Sequence, residues 1–128
     1  MTLKSNIILG SGGHSRVILE NLYILKKKNI KIYDFNFSSK KNNTILKNIV
    51  NDFKKISKKE ISKNNNLFLA IGDNKTRKKY FDKFKTRIKI PNLIAKNSSI
   101  SRYSKFGIAN FFNHFCFIGT NSTIGNNN

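Results

Sequence analysis

The chain has 128 residues, enough for one ordinary domain or for a small domain with the beginning of another. No stretch approaches the roughly 20 apolar residues of a membrane-spanning helix, and the single cysteine, Cys116, excludes an internal disulfide or a cysteine-built metal site. The formal charge of +19 comes mostly from lysines scattered between Lys4 and Lys105 among many Asn, Ile and Phe. Such a pattern fits a solvated surface shaped by A/T-rich codons better than base-edge recognition, which favours the arginine fork. No specific nucleic-acid partner is expected, although adhesion to polyanions at low salt follows from charge alone.

Residues 1–9 read as a strand rather than a signal peptide, so a soluble, cytoplasmic protein of a reducing compartment is expected. "NIILGSG" is a buried-strand signal ending in glycines. "GHSRVILENLYILKKK" follows as a helix with Val17, Leu19, Leu22, Tyr23 and Leu25 on one side. Ser11 or Ser15 would cap it, and Lys26 to Lys28 suit its negative end. "IKIYDF" (30–35) alternates like a second strand. The segment 38–66 is rich in Lys, Asn and Ser, and within it Ile45, Leu46, Ile49, Val50 and Phe53 have the spacing of a short amphipathic helix. "NLFLAIGD" (66–73) is a buried strand. "NKTRKKYFDKFK" (74–85) is a helix capped by Asp73 or Asn74, with Tyr80, Phe81 and Phe84 turned inward. "RIKIPNLI" (87–94) is a further extended segment. This alternation implies an α/β fold with a small parallel sheet and flanking helices.

After Pro91 the period changes. Ile94, Ile100, Phe106, Phe112, Ile118 and Ile124 recur every six residues, and glycine follows three of them at Gly107, Gly119 and Gly125. Two residues before the later members stand the small side chains Ser98, Ser104, Asn110, Cys116 and Ser122. A helix does not keep a period of six on one face. A parallel β-helix does, with one short strand per hexapeptide, the large apolar residue inward and the small one at the corner.

The combination of "GSGGHS", "AIGDNKTR" and "IPNLIAKNSSIS" leading into hexapeptides resembles the sugar O- and N-acyltransferases of the sialic acid O-acetyltransferase and bacillosamine (UDP-4-amino-sugar) N-acetyltransferase type. The resemblance spans residues 5–128. It implies a Rossmann-like domain over 1–90 that binds a nucleotide-activated amino sugar or sialic-acid-type sugar. It also implies the first coils of a left-handed β-helix over 91–128. Complete members form homotrimers and use acetyl-CoA as co-substrate, bound between neighbouring β-helices, in surface glycan and polysaccharide synthesis.

By that resemblance Gly12, Gly13 and His14 touch the nucleotide sugar. Glycines let backbone N–H groups and a helix N-terminus meet an anionic or hydroxyl-rich ligand. Asp34 and Phe35 close the second strand, where a carboxylate can accept from ribose hydroxyls, and Gly72 ends the next strand on the same sheet edge. The alternatives are a plain tight turn at the glycines, a capping role for His14 and a solvated Asp34. Asn74 and Arg77 read as helix-start and surface residues, and no metal ligands are expected.

The family's catalytic histidine belongs to a later coil. At roughly 18 residues per coil, 92–128 supply about two, so the expectation is an N-terminal portion that lacks the catalytic coil and by itself binds no acetyl-CoA. His114, in "FFNHFC", is a weak catalytic candidate because no acidic residue adjoins it, and Cys116 reads as packing. Two other readings stand beside the transferase. One is a non-catalytic remnant that still binds a nucleotide sugar. The other is a dinucleotide-binding oxidoreductase domain, against which "GSGGHS" places Ser15 where the G-x-G-x-x-G fingerprint ends in glycine.

Overall fold

The apolar run before the glycines becomes β1 (Asn6–Leu9), buried along its whole length. The helix that follows is α1 (Gly13–Ile24), and the alternating segment is β2 (Ile30–Asp34). The computed structural model describes residues 3–39 and 43–128. Next come β3 (Thr44–Ile45), β4 (Asn48–Asp52), a 3₁₀ turn (Phe53–Lys55), β5 (Asn66–Leu69) and α2 (Asn74–Phe84). The sheet order is β3-β4-β2-β1-β5. β1 lies between β2 and β5, both parallel to it, with Ile8 opposite Ile32 and Phe68. β4 continues the parallel set beyond β2, and only β3 runs antiparallel, as a hairpin with β4.

The core of this unit is Ile7, Ile8 and Leu9 of β1 with Ile32, Leu67, Ile88 and the buried face of α1. That face is Ser15, Ile18, Leu19 and Leu22, an i, i+3, i+4, i+7 stripe. It is rotated from the sequence expectation: Val17 is only half-buried, and Tyr23 is exposed, its hydroxyl accepting from Asn48 Nδ2. The expected serine cap is also corrected. Gly12 occupies the N-cap with no side-chain bond, because the Ser11 hydroxyl donates to Asp34 and the Ser15 hydroxyl turns back to the Gly12 carbonyl. Nor do Lys26 to Lys28 sit in the last turn, since the helix closes at Leu25 and Lys26 has φ +57°. In α2, Asp73 is the cap, accepting from Thr76 N at 2.8 Å, and Phe81 and Phe84 are buried.

The amphipathic helix expected around residues 45–53 does not form. Ile45 pairs with Asn48 across a two-residue turn in which Leu46 and Lys47 both have positive φ, and Val50 buries against β2. Parallel pairing with Ile32 and Tyr33 overrides the helical spacing, leaving Ile49 exposed. The segment 87–94 is likewise not one strand. Lys89 bridges to Asn66 at the sheet edge, whereas Leu93 and Ile94 belong to the second unit.

The chain divides into two compact units between Ile90 and Pro91. In the second, six two-residue strands pair in parallel: β6 (Leu93–Ile94) with β9 (Phe111–Phe112), β7 (Ser99–Ile100) with β10 (Phe117–Ile118), and β8 (Lys105–Phe106) with β11 (Thr123–Ile124). Each pair is offset by 18 residues, so three hexapeptides make one coil of a parallel β-helix. Corners close through turns such as Ser98 N to the Ala95 carbonyl and Cys116 N to the Asn113 carbonyl. Phe106 and Phe112 meet edge-on inside, with ring centroids 5.2 Å apart. Asn110, fully buried, donates through Nδ2 to the Gly125 carbonyl and accepts from Asn128 N, while its own N–H donates to Asn92 Oδ1. These asparagines form an 18-residue ladder that satisfies the polar backbone of one corner.

Candidate functional site

The strand ends of β1, β2 and β5 point one way, and the loops leaving them enclose a cleft of about 500 Å³. Gly10 begins its wall. Its φ is +120°, and a Cβ there would lie 2.3 Å from the Ala70 carbonyl oxygen, so β1 cannot pass β5 at this point with any other residue. The neighbouring glycines are not confined in this way. A Cβ on Gly12, Gly13 or Gly72 would meet no protein atom within 4 Å, and Gly12 has an ordinary extended φ of −86°.

Gly12, Asp34, Phe35 and Gly72 come together around this cleft, beside Ser11, Asn36, Asp73 and Thr76. Asp34 is held from two sides: Oδ2 accepts from the Ser11 hydroxyl and Oδ1 from Asn36 N at 2.9 Å. Both bonds fix the carboxylate at the end of β2. Phe35 forms an aromatic wall, its ring 5.4 Å from that of Tyr80. A smaller cavity of about 250 Å³ shares Ser11, Asp34 and Asn36 and adds Arg16, Ser38 and Asn43.

Gly13 and His14 form the first turn of α1. His14 is half-buried, and its imidazole is held below its ordinary pKa of 6.5, first by burial and then by the Arg77 guanidinium. Arg77 itself spans the start of α2, donating to the Ile71 carbonyl at 3.0 Å and to Asn74 Oδ1 at 2.9 Å. It therefore braces the loop that carries Gly72. Sequence reasoning missed Ser11, Asn36 and Thr76 as part of this wall; the usable signal was the position of Ser11 beside Gly10, opposite an acidic strand end.

The two helix starts differ in their electrostatics. The positive end of α2 is met by the Asp73 carboxylate, which Thr76 N–H and Oγ1 hold below its ordinary range. α1 has neither a side-chain cap nor an acidic residue in its first turn. Ser15 N–H turns back to the Gly12 carbonyl at 3.1 Å, and the positive end of α1 is what an anion from solution would meet.

His114 lies in the second unit, where its Nδ1 pairs with the side-chain oxygen of Asn97 one coil earlier. Cys116 is half-buried. Among the described residues no group of three His, Cys, Asp or Glu side chains could hold a metal ion, and no helix is long and apolar enough to cross a membrane.

Residues 6–84 match the family model described as the PglD N-terminal domain. No curated protein matches the chain. Among solved structures, the chain is similar to PerB from Caulobacter crescentus in complex with CoA and GDP-perosamine. The identity is 24% over 98% of this chain and 58% of that one, with a TM-score of 0.79. It is also similar to the acetyltransferase domain of PglB from Neisseria gonorrhoeae FA1090 in complex with acetyl coenzyme A. There the identity is 16% over 98% of this chain and 60% of that one, with a TM-score of 0.77. At these identities the likeness establishes the fold, and the chain spans 58% to 60% of the length of these relatives.

Proposed function

The chain belongs to the PglD N-terminal domain family, and from that premise we propose that its sheet-edge cleft holds a nucleotide-activated amino sugar that is acetylated from acetyl-CoA. One observation carries the reading. Gly12, Gly13 and Gly72 are small where no protein atom requires it, Gly12 and Gly13 at a helix start without a side-chain cap and Gly72 in the cleft with Gly12. A phosphate group at that start would meet the positive end of α1. The Asp34 carboxylate, already oriented by Ser11 and Asn36, retains lone pairs for ribose hydroxyls, and Phe35 offers a face to a base.

In the reaction the sugar's amine or hydroxyl attacks the thioester carbonyl, its proton passes to a general base, and CoA leaves as the thiol. His114 is a poor base for that step, because its ring is oriented by a neutral asparagine and not by a carboxylate. No residue of 1–128 is assigned as the base, and acetyl-CoA is assigned to a groove between the β-helices of a homotrimer. The relatives crystallised with CoA, acetyl-CoA and GDP-perosamine support this substrate class. A cytoplasmic role in surface glycan synthesis fits the supply of both co-substrates. The dinucleotide reading is disfavoured by Ser15, which is fully buried and bonded to the Gly12 carbonyl in place of the fingerprint's last glycine.

Calorimetric titration with UDP-, GDP- and CMP-linked amino sugars and with NADH tests the assignment. Saturable binding of at least one nucleotide sugar, tighter than NADH, is expected. NADH binding equally or more tightly would overturn it.

A further inference from the structure

A second concavity shares no lining residue with the cleft. It has a volume of about 310 Å³ and is formed where residues 53–61 pack along the C-terminal half of α2. Its floor is apolar: Phe53 and Phe84 meet edge-on with centroids 6.0 Å apart, and Ile56 and Ile61 are half-exposed beside them. Its rim is cationic, with Lys54, Lys58, Lys83 and Arg87 all exposed. Lys55, Lys59 and Lys63 extend the same run in "FKKISKKEISK". Among the described residues the ion pairs are Lys31–Glu60, Lys78–Asp82 and Lys85–Asp82, so none takes a cation from this rim. The acidic side chain of the run, Glu60, is turned away to Lys31 and the Tyr33 hydroxyl.

We propose that this groove is a docking surface for an anionic lipid bilayer, with the lysines and Arg87 at the headgroups and Ile56 and Ile61 at the acyl boundary. Charge complementarity selects the occupant. Lysine is a compact point charge suited to a diffuse anionic surface, without the arginine fork that reads bases. The aromatic rings here are committed to each other, and Lys83 and Arg87 sit over Phe84 at 5.4 and 5.7 Å, so no ring face is offered to stack a nucleotide. Interleaved aliphatic side chains between cations are what an interfacial surface requires.

The groove starts near the cleft, where the Phe53 ring meets Tyr80 behind Phe35, and follows α2 away from it. The cleft stands where β1, β2 and β5 end, whereas Lys89, two residues past Arg87, pairs with Asn66 at the start of β5. The groove therefore reaches the opposite edge of the sheet. Docking by it is independent of the proposed nucleotide-sugar role.

Vesicle co-sedimentation of the full 128-residue chain at physiological ionic strength provides the test, with phosphatidylcholine alone against equal parts phosphatidylcholine and phosphatidylglycerol. Each cation near an anionic surface is worth about fivefold in partition. The quadruple variant K54A/K58A/K83A/R87A should therefore lose more than about tenfold of its binding to the anionic vesicles. The matched variant K4A/K26A/K27A/K28A, which removes the same charge elsewhere, should stay close to the parent. An Ile61→Ser variant, checked for an unchanged thermal transition, should weaken vesicle binding while leaving binding to a single-stranded RNA oligonucleotide unaltered. Equal loss in both quadruple variants would reduce the effect to net charge and overturn the proposal. So would a parent chain that binds both vesicle types alike, or RNA binding that depends on the groove cations while vesicle binding does not.

Discussion

Gly10 and Gly12 stand two residues apart and differ in what a side chain would meet. Gly10 has a left-handed φ and its Cα faces the Ala70 carbonyl, so Gly10→Ala is expected to destabilise the fold by about 2 kcal/mol or more, through strain and a displaced β5. Gly12 has an extended φ and open space before it, so Gly12→Ala should leave stability unchanged or raise it by about 0.5 kcal/mol. The same change should weaken nucleotide-sugar binding by obstructing the approach to the α1 amides. Thermal unfolding and calorimetry of the two variants separate the effects. His14 gives a second test. Its folded pKa lies below the unfolded value of 6.5, so the unfolded chain binds the proton more readily once pH falls below 6.5. The stability is complete above that pH and is lost as pH drops toward the folded pKa. His14→Gln should remove that part of the acid dependence, and a denaturant midpoint unchanged between the two chains from pH 7 to 5 would contradict it. The glycines and Asp34 were legible in the sequence because a strand end followed by glycines is a local signal. The Ser11–Asp34 bond was not, because it joins residues 23 apart and depends on the register between β1 and β2.

At the scale of elements, local spacing was a good guide wherever one face of the element decides its burial. β1, β2, β5 and α2 fall where alternation and apolar spacing place them, and the six-residue period becomes three strand pairs offset by one coil. Spacing misled at residues 45–53, where apolar positions suited to a helix are drawn into the sheet by Ile32 and Tyr33. The hairpin turn there carries none of the usual signals, since Leu46 and Lys47 occupy positive-φ positions that Asn and Gly adopt more readily. The double substitution L46N/K47G should consequently stabilise the chain by about 1 kcal/mol, read as a higher denaturant midpoint with an unchanged slope. Destabilisation would mean that the segment is helical in solution. The α1 cap was misjudged for a related reason. Both candidate serines are spent on other acceptors, which leaves the helix start without a side-chain cap.

On the scale of the whole molecule, a largely parallel sheet precedes a parallel β-helix, and PerB, similar over 98% of the chain, was crystallised with CoA and GDP-perosamine. The charge of +19 is spread over both units and does not define the site, since the cleft itself is lined by Asp34 and Asp73. What marks the candidate site is a glycine-lined helix start without a side-chain cap. The direct measurement is an amide map of the ¹⁵N-labelled chain titrated with a nucleotide-linked amino sugar and, separately, with NADH. The sugar nucleotide should shift the amides of residues 11–15, 34–36 and 72–76 in a saturable manner and leave those at 99–125 in place, with NADH producing smaller changes at equal concentration. Shifts confined to 91–128 or to the groove at 53–61, or stronger shifts at 11–15 from NADH, would contradict the nucleotide-sugar assignment.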